Sequence, residues 1–156
     1  MTLHFAYGSN MSRKAMDIRC PGAEAVGLGV LEDYRFIVMV DGYASVVPSP
    51  GQKVHGVLWR LTTRDIGALN AYESLQSGLY KRGMLPVLVD RVHINALVYL
   101  GHTPDEGKPR PGYIDQVIEA AREHNLPKPY IEELRRWAPG AWRGPLRRDV
   151  GEFGNL

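Results

Sequence analysis

The sequence predicts an α+β domain: a small curved sheet or barrel, antiparallel or mixed, with three to four helices packed outside it. Three observations predict it. About seven short runs carry strand patterning between turn signals. Helical patterns interrupt antiparallel runs of these strands. One run, Val54–Leu61, is apolar on both faces, as expected of a central strand or one lining a closed barrel. With 156 residues the chain can bury a continuous core as one ordinary domain.

The elements follow in order. Leu3–Tyr7 reads as a short buried strand ending at Gly8. Ser9 or Ser12 caps a helix over Met11–Ile18, which Pro21-Gly22 stops. Ala25–Val30 and Tyr34–Val40 are expected as successive strands with Glu32-Asp33 as the turn. Asp41-Gly42 makes a hairpin turn into a strand over Tyr43–Val47, which Pro48-Ser49-Pro50-Gly51 closes. After Val54–Leu61, Thr62 or Thr63 caps a helix with Asp65 in its first turn. Leu79–Val89 and Val92–Leu100 pair around Asp90-Arg91, and a polar Pro/Gly-rich loop spans Gly101–Pro111. Ile114, Val117, Ile118 and Ala121 form the stripe of one helix; Ile131 and Leu134 with Trp137 form that of another, with Asn125-Leu126-Pro127 between them. The expected domain covers residues 1–138, and residues 139–156 read as an extended or partly disordered extension.

Bulk properties exclude several function classes. A net charge of +2, with arginines scattered except for Arg135, Arg136, Arg143, Arg147 and Arg148, gives no footprint of a nucleic-acid partner. No run approaches the roughly 18 apolar residues of a membrane span, and the N-terminus lacks a signal-peptide pattern, so a cytoplasmic protein is expected. The single cysteine, Cys20, fits a reducing compartment and reads as an inert thiol. The histidines show no zinc spacing, so no metal is expected. Gly27-Leu28-Gly29 lacks the third glycine of a dinucleotide fingerprint, and no Walker-type loop exists. No cofactor is expected.

Two polar anomalies remain. Ile66 and Leu69 define the inward stripe of the helix after Thr63, and the next member of the series is Glu73. A carboxylate placed there is costly unless paired or lining a cavity, and burial raises its pKa toward the range useful for moving protons. The alternative is that the helix ends by residue 72 and Glu73 faces water. The second anomaly is Tyr7-Gly8-Ser9-Asn10, a strand entering a helix through Gly, Ser and Asn. Its backbone N–H groups suit a carboxylate or a developing oxyanion. Taken by itself it reads more readily as an ordinary strand–turn–helix junction with Ser and Asn as caps. Ser9 is no nucleophile candidate, since no G-x-S-x-G elbow surrounds it. Tyr80, Tyr99 and Tyr113 sit at strand ends or beside Gly/Pro loops, as core, rim or ligand contacts.

Together these segments resemble the γ-glutamylcyclotransferase-like family. The matching stretches are Phe5-Ala6-Tyr7-Gly8-Ser9-Asn10-Met11, Ser49-Pro50-Gly51 leading into Val54–Trp59, and Leu69–Glu73 with Ser77-Gly78-Leu79-Tyr80. Asn125-Leu126-Pro127 before Tyr130-Ile131 completes the series, so residues 3–137 are covered in order. The form of the first and third motifs is closer to γ-glutamyl-dipeptide enzymes than to the γ-glutamylamine or glutathione-specific branches.

The resemblance implies a compact barrel-like α+β fold without cofactor. It implies conversion of an L-γ-glutamyl amide to 5-oxoproline and a free amine. Glu73 matches the catalytic acid/base. Tyr7, Gly8, Ser9 and Asn10 match the loop that binds the glutamyl moiety through main-chain donors, and Tyr80, Tyr113 and Tyr99 match pocket tyrosines. The partner is a small γ-glutamyl molecule, and oligomeric state stays open, a homodimer included. Asn70 and Ser74 depart from the Asp and Gly common around the glutamate, which bears on the tuning of Glu73 and on the local backbone. Two other readings share the same cavity: removal of a γ-glutamyl group from a larger metabolite, and non-catalytic binding of a small carboxylate.

Overall fold

The computed structural model describes residues 2–73, 77–138 and 140–141. Five strands close into a barrel: β1 (Thr2–Ala6), β2 (Glu24–Val38), β3 (Ala44–Leu61), β4 (Tyr80–Val89) and β5 (Val92–Gly101). Their order around the barrel is β1-β3-β2-β4-β5. All pairings are antiparallel except the closing one, where β1 runs parallel to β5 at His4 and Leu97. A 3-10 turn, Ser9–Met11, leads into α1 (Arg13–Arg19); α2 (Thr63–Tyr72) bridges β3 and β4; α3 (Tyr113–Glu123) and α4 (Lys128–Arg135) follow β5. The fold is the expected α+β barrel with outer helices.

Strand number differs from expectation, for one physical reason. The predicted pair Ala25–Val30 and Tyr34–Val40 is the single strand β2, and Tyr43–Val47 with Val54–Leu61 is the single strand β3. Glu32-Asp33 is not a turn but a register shift, with Asp33 in the left-handed region at φ 63°. Its carboxylate accepts the Gly51 amide at 2.9 Å across the ladder, so both presumed breaks are one kink in a continuous pair. Such irregularities bend a strand and increase its twist, which a small barrel needs in order to close.

The true turns are where the sequence places them. Between β2 and β3, the Gly42 amide bonds the Met39 carbonyl at 2.8 Å and Gly42 adopts φ 93°. Between β4 and β5, Asp90 and Arg91 both take positive φ, the signature of a two-residue hairpin turn. Ser12 caps α1 by accepting from the Ala15 amide at 3.1 Å. Thr62 caps α2 in a reciprocal box with Asp65, whose carboxylate also receives the Gly22 amide at 3.2 Å.

Over Val54–Trp59 both faces of β3 are covered, as the sequence there requires. On one side α3 and α4 bring aromatic contacts: Trp59 meets His124 edge-on and His55 lies against Tyr130. Trp137 closes the end of this layer against Phe36. The predicted stripes of both helices are buried against the barrel. On the barrel side, Gly56 lets β3 approach β1. A Cβ there would lie 2.3 Å from the Ala6 carbonyl oxygen and 2.8 Å from the Phe5 ring. The Gly56→Ala variant should therefore lose about 3 kcal/mol in urea unfolding; a loss below about 0.5 kcal/mol would show that β1 and β3 separate at little cost.

Candidate active site

Barrel closure puts the C-terminal end of β1 beside the C-terminal end of α2. The chain leaving β1 passes Tyr7 and Gly8 into the 3-10 turn, whose carbonyls at Gly8 and Ser9 are taken by Met11 and Ser12. The chain leaving α2 ends at Glu73, whose amide bonds the Leu69 carbonyl at 2.8 Å. The helix does end at Tyr72, yet Glu73 does not face water: it is 9% exposed. Its position after Leu69 on the inward stripe carries it into the barrel mouth.

A cavity of roughly 180 Å³ opens between these two segments. Every sequence-predicted site residue lines it: Glu73, Tyr7, Gly8, Ser9, Asn10, Tyr80, Tyr99 and Tyr113. Asn10 Nδ2 donates to Glu73 Oε1 at 2.8 Å, joining the loop to the carboxyl directly. Removal from water pushes the Glu73 carboxyl up to about 7, with Asn10 and then Arg19 pulling in the other direction. At neutral pH it is therefore divided between a form that accepts a proton and one that gives it.

The tyrosines are tied to the framework. The Tyr7 hydroxyl donates to the Tyr99 carbonyl, the Tyr80 hydroxyl to the Ala44 carbonyl and the Tyr99 hydroxyl to Asn70 Oδ1, each at 2.5 Å. Asn70 thus orients Tyr99. Backbone hydrogen bonds from Ala44 and Ser9 both reach the Tyr113 oxygen, so one donor of the loop already has a partner inside the protein. Burial pushes all four phenols above their ordinary value, and the Glu73 charge adds to it in each case. They are neutral hydrogen-bonding groups here. Gly8 keeps the loop close to this cluster, since a Cβ on it would lie 3.1 Å from the Tyr113 oxygen.

Four contributors escaped the sequence reading. Tyr43 and Tyr72 line the cavity, and Tyr43 packs edge-on to Tyr113. Arg19 donates to Asn10 Oδ1 at 2.6 Å and lies over the Tyr72 ring. His4 lines the cavity from β1 at 2% exposure. Its Nδ1 faces the Leu97 carbonyl at 3.1 Å and so carries the hydrogen, leaving Nε2 an acceptor with no hydrogen-bond partner among the described residues. Burial lowers its pKa to about 4, so the ring is neutral. A histidine inside an apolar strand just before the loop was the available signal.

Other expectations resolve plainly. Cys20 is buried away from the cavity lining, and burial pushes its thiol up to about 11, which makes it a poor nucleophile. No described helix is long and apolar enough to cross a membrane. Ser74, Arg143, Arg147 and Arg148 lie outside the described residues, as does the extension over 139–156 apart from residues 140–141.

A small closed barrel whose mouth holds a shielded carboxyl opposite a loop of amides offers a small polar molecule a proton-exchanging group and hydrogen-bond donors in one cavity. Comparison with known proteins narrows the class. The model of the AIG2-like family matches residues 53–134, and the chain belongs to that family. It is 28% identical to a γ-glutamylcyclotransferase of Mus musculus and 26% identical to one of Homo sapiens, over 97% of this chain and 86% of each relative. A solved γ-glutamyl cyclotransferase structure superposes with a TM-score of 0.82 at 25% identity, covering 97% of this chain and 96% of the other.

The raised Glu73 pKa has a stability consequence. The folded protein holds this proton more tightly than the unfolded chain, so the contribution is complete below the ordinary value of 4.5 and is lost as pH rises through about 7. Glu73→Gln keeps an acceptor for Asn10 without the charge. In thermal melts the variant should gain on the parent between pH 4.5 and pH 8, by up to about 3 kcal/mol. A difference that stays flat across this range would place the carboxyl in a watery environment.

Proposed function

We propose that the protein is a γ-glutamyl cyclotransferase that converts an L-γ-glutamyl amide or dipeptide to 5-oxoproline and the free amine or amino acid, with Glu73 as general acid/base. The observation that carries this reading is the Glu73 carboxyl itself, shielded in the barrel mouth and bonded to Asn10 of the facing loop. The relatives named γ-glutamylcyclotransferase support cyclotransferase activity in general.

The chemistry suits such a site. A γ-glutamyl group carries its own nucleophile, the α-amine, so the protein mainly has to hold the chain folded; fixed geometry of this kind supplies several kcal/mol of the barrier. Ionised Glu73 takes a proton from the α-ammonium. The amine nitrogen then bonds to the γ-carbonyl carbon, closing a five-membered ring and leaving an oxyanion. Protonated Glu73 returns its proton to the departing nitrogen and, ionised again, takes the second proton from the positively charged ring nitrogen as the old C–N bond breaks. That proton leaves with the released amine as its ammonium ion. Carboxyl and products are then as required for the next turnover.

With the Ser9 amide already on the Tyr113 oxygen, the main-chain donors of Gly8 and Asn10 anchor the α-carboxylate or the oxyanion, the latter commonly worth about 3 kcal/mol per donor, and Ser9 lines the loop beside them. Tyr7, Tyr80, Tyr99 and Tyr113 form the neutral wall that confines the glutamyl chain. A cavity of roughly 180 Å³ matches a small acyl group better than a whole large metabolite, whose remainder would project through the mouth past Tyr43 and Tyr72. This favours a dipeptide-sized substrate.

The test is a panel of γ-glutamyl dipeptides and bulkier γ-glutamyl amines, with 5-oxoproline followed by mass spectrometry. Release by the parent protein and a loss of at least about 100-fold in Glu73→Gln are expected. Activity of the variant within twofold of the parent would remove Glu73 from the mechanism. Binding without lactam formation across the panel would make the protein a carboxylate-binding module instead. With the base ionising near 7, kcat/KM should rise as pH increases from 6 to 8; a profile already flat at pH 6 would contradict the assignment.

A further inference from the structure

Arg19 enters the site from the last residue of α1. Its Nη1 donates to Asn10 Oδ1 at 2.6 Å and to Ser9 Oγ at 3.2 Å, and its guanidinium carbon lies 3.7 Å from the centre of the Tyr72 ring. It therefore clamps both walls of the cavity: the loop after β1 and the end of α2. Between Arg19 and Glu73 stands the Asn10 amide, accepting from one and donating to the other.

A guanidinium has only donors and an ionised carboxylate only acceptors. The amide between them has one satisfactory orientation. Turned over, it would set its NH2 against Arg19 and its carbonyl against Glu73, losing two hydrogen bonds to charged groups. We propose that Arg19 is a positioning residue for the reaction: it locks Asn10 with the NH2 toward Glu73 and, with its own charge, sets the proton affinity of that carboxyl. The proposal rests on the catalytic reading of Glu73.

The other groups facing Glu73 do not supply this charge. Tyr7 comes from the loop after β1, Tyr80 from β4, Tyr99 from β5, Tyr113 from α3 and Tyr72 from α2, and His4 lines the same cavity from β1. Burial holds His4 neutral, and keeps Tyr7, Tyr80, Tyr99 and Tyr113 protonated. The Arg82 charge bears on Tyr99. Among the described residues, Arg19 is the cation that acts on Glu73 itself, and its pull opposes the larger push of desolvation. Its side chain is also held on three sides, so little rotamer freedom is left to oppose the arrangement.

The experiment titrates Glu73 by NMR in full-length protein with side-chain-labelled glutamate, assigning the resonance by its absence in Glu73→Gln. Arg19→Met should move the Glu73 midpoint upward by about one pH unit. The rising limb of kcat/KM should move with it, so turnover near pH 6.5 falls about tenfold while the high-pH plateau changes much less. Arg19→Lys should give a smaller displacement, because it keeps the charge and loses the planar stack. An unchanged midpoint in folded Arg19→Met overturns the proposal, as does an equal loss of rate at every pH. If Arg19→Met does not fold, Arg19→Gln removes the same charge while keeping a polar side chain, and an unchanged midpoint in that variant overturns it in the same way. Should no compound of the panel yield 5-oxoproline, the catalytic reading of Glu73 fails, while the NMR midpoint still decides whether Arg19 holds the carboxyl.

Discussion

A carboxyl group taken out of water needs an answering partner, and here that partner is the side-chain amide of Asn10, 2.8 Å away. This hydrogen bond joins segments far apart in sequence, the loop after β1 and the cap of α2, and it exists because the barrel closes between β1 and β5. Short β1 is held between β3 and β5, so its exit is fixed in space. The antiparallel β3 strand releases the chain at the opposite end of the barrel, beside Thr2, and α2 runs back so that its C-terminal cap reaches the β1 exit. Closure thus places an amide and a carboxyl together, and burial does the rest by raising the carboxyl to about 7.

The surrounding tyrosines serve the same constraint in another way. Each of the Tyr7, Tyr80 and Tyr99 hydroxyls spends its proton on an acceptor from a different element: Tyr99, Ala44 and Asn70. The rings gain fixed positions, and the elements gain cross-ties. Because burial keeps the phenols neutral, they bound the cavity without adding charge to it. The glutamyl chain of the proposed substrate would meet a polar but uncharged wall, with the ionisable group of the site standing at Glu73. Rigid surroundings of this kind lower the cost of holding a reactive geometry.

Much of this was legible in the sequence, and the reasons are specific. Ile114, Val117, Ile118 and Ala121 announce their helix because a 3.6-residue period has few other meanings. Glu73 was visible because it interrupts an apolar stripe, even though α2 stops one residue earlier. The strand breaks were misread at Glu32-Asp33 and at Pro48–Gly51, since the same residues that make turns also make bulges. What separates the two outcomes is the Asp33–Gly51 hydrogen bond, a contact across the ladder that no local pattern contains. Arg19 was missed for a similar reason: nothing around it in sequence indicates Tyr72 or Asn10 as neighbours. The neutral His4, by contrast, offered a local sign, a polar ring between Leu3 and Phe5 in a buried strand.

The claim on which this account stands concerns where a substrate's amine sits. A crystal structure of the Glu73→Gln protein soaked with an intact γ-glutamyl dipeptide measures it directly. The α-amine should lie within hydrogen-bond distance of the residue 73 side chain, about 3 Å, with the γ-carbonyl facing the α-amine and the α-carboxylate or carbonyl oxygen on the Gly8–Asn10 loop. A dipeptide seated in the cavity with its amine turned away from residue 73, or bound elsewhere on the barrel, would contradict it.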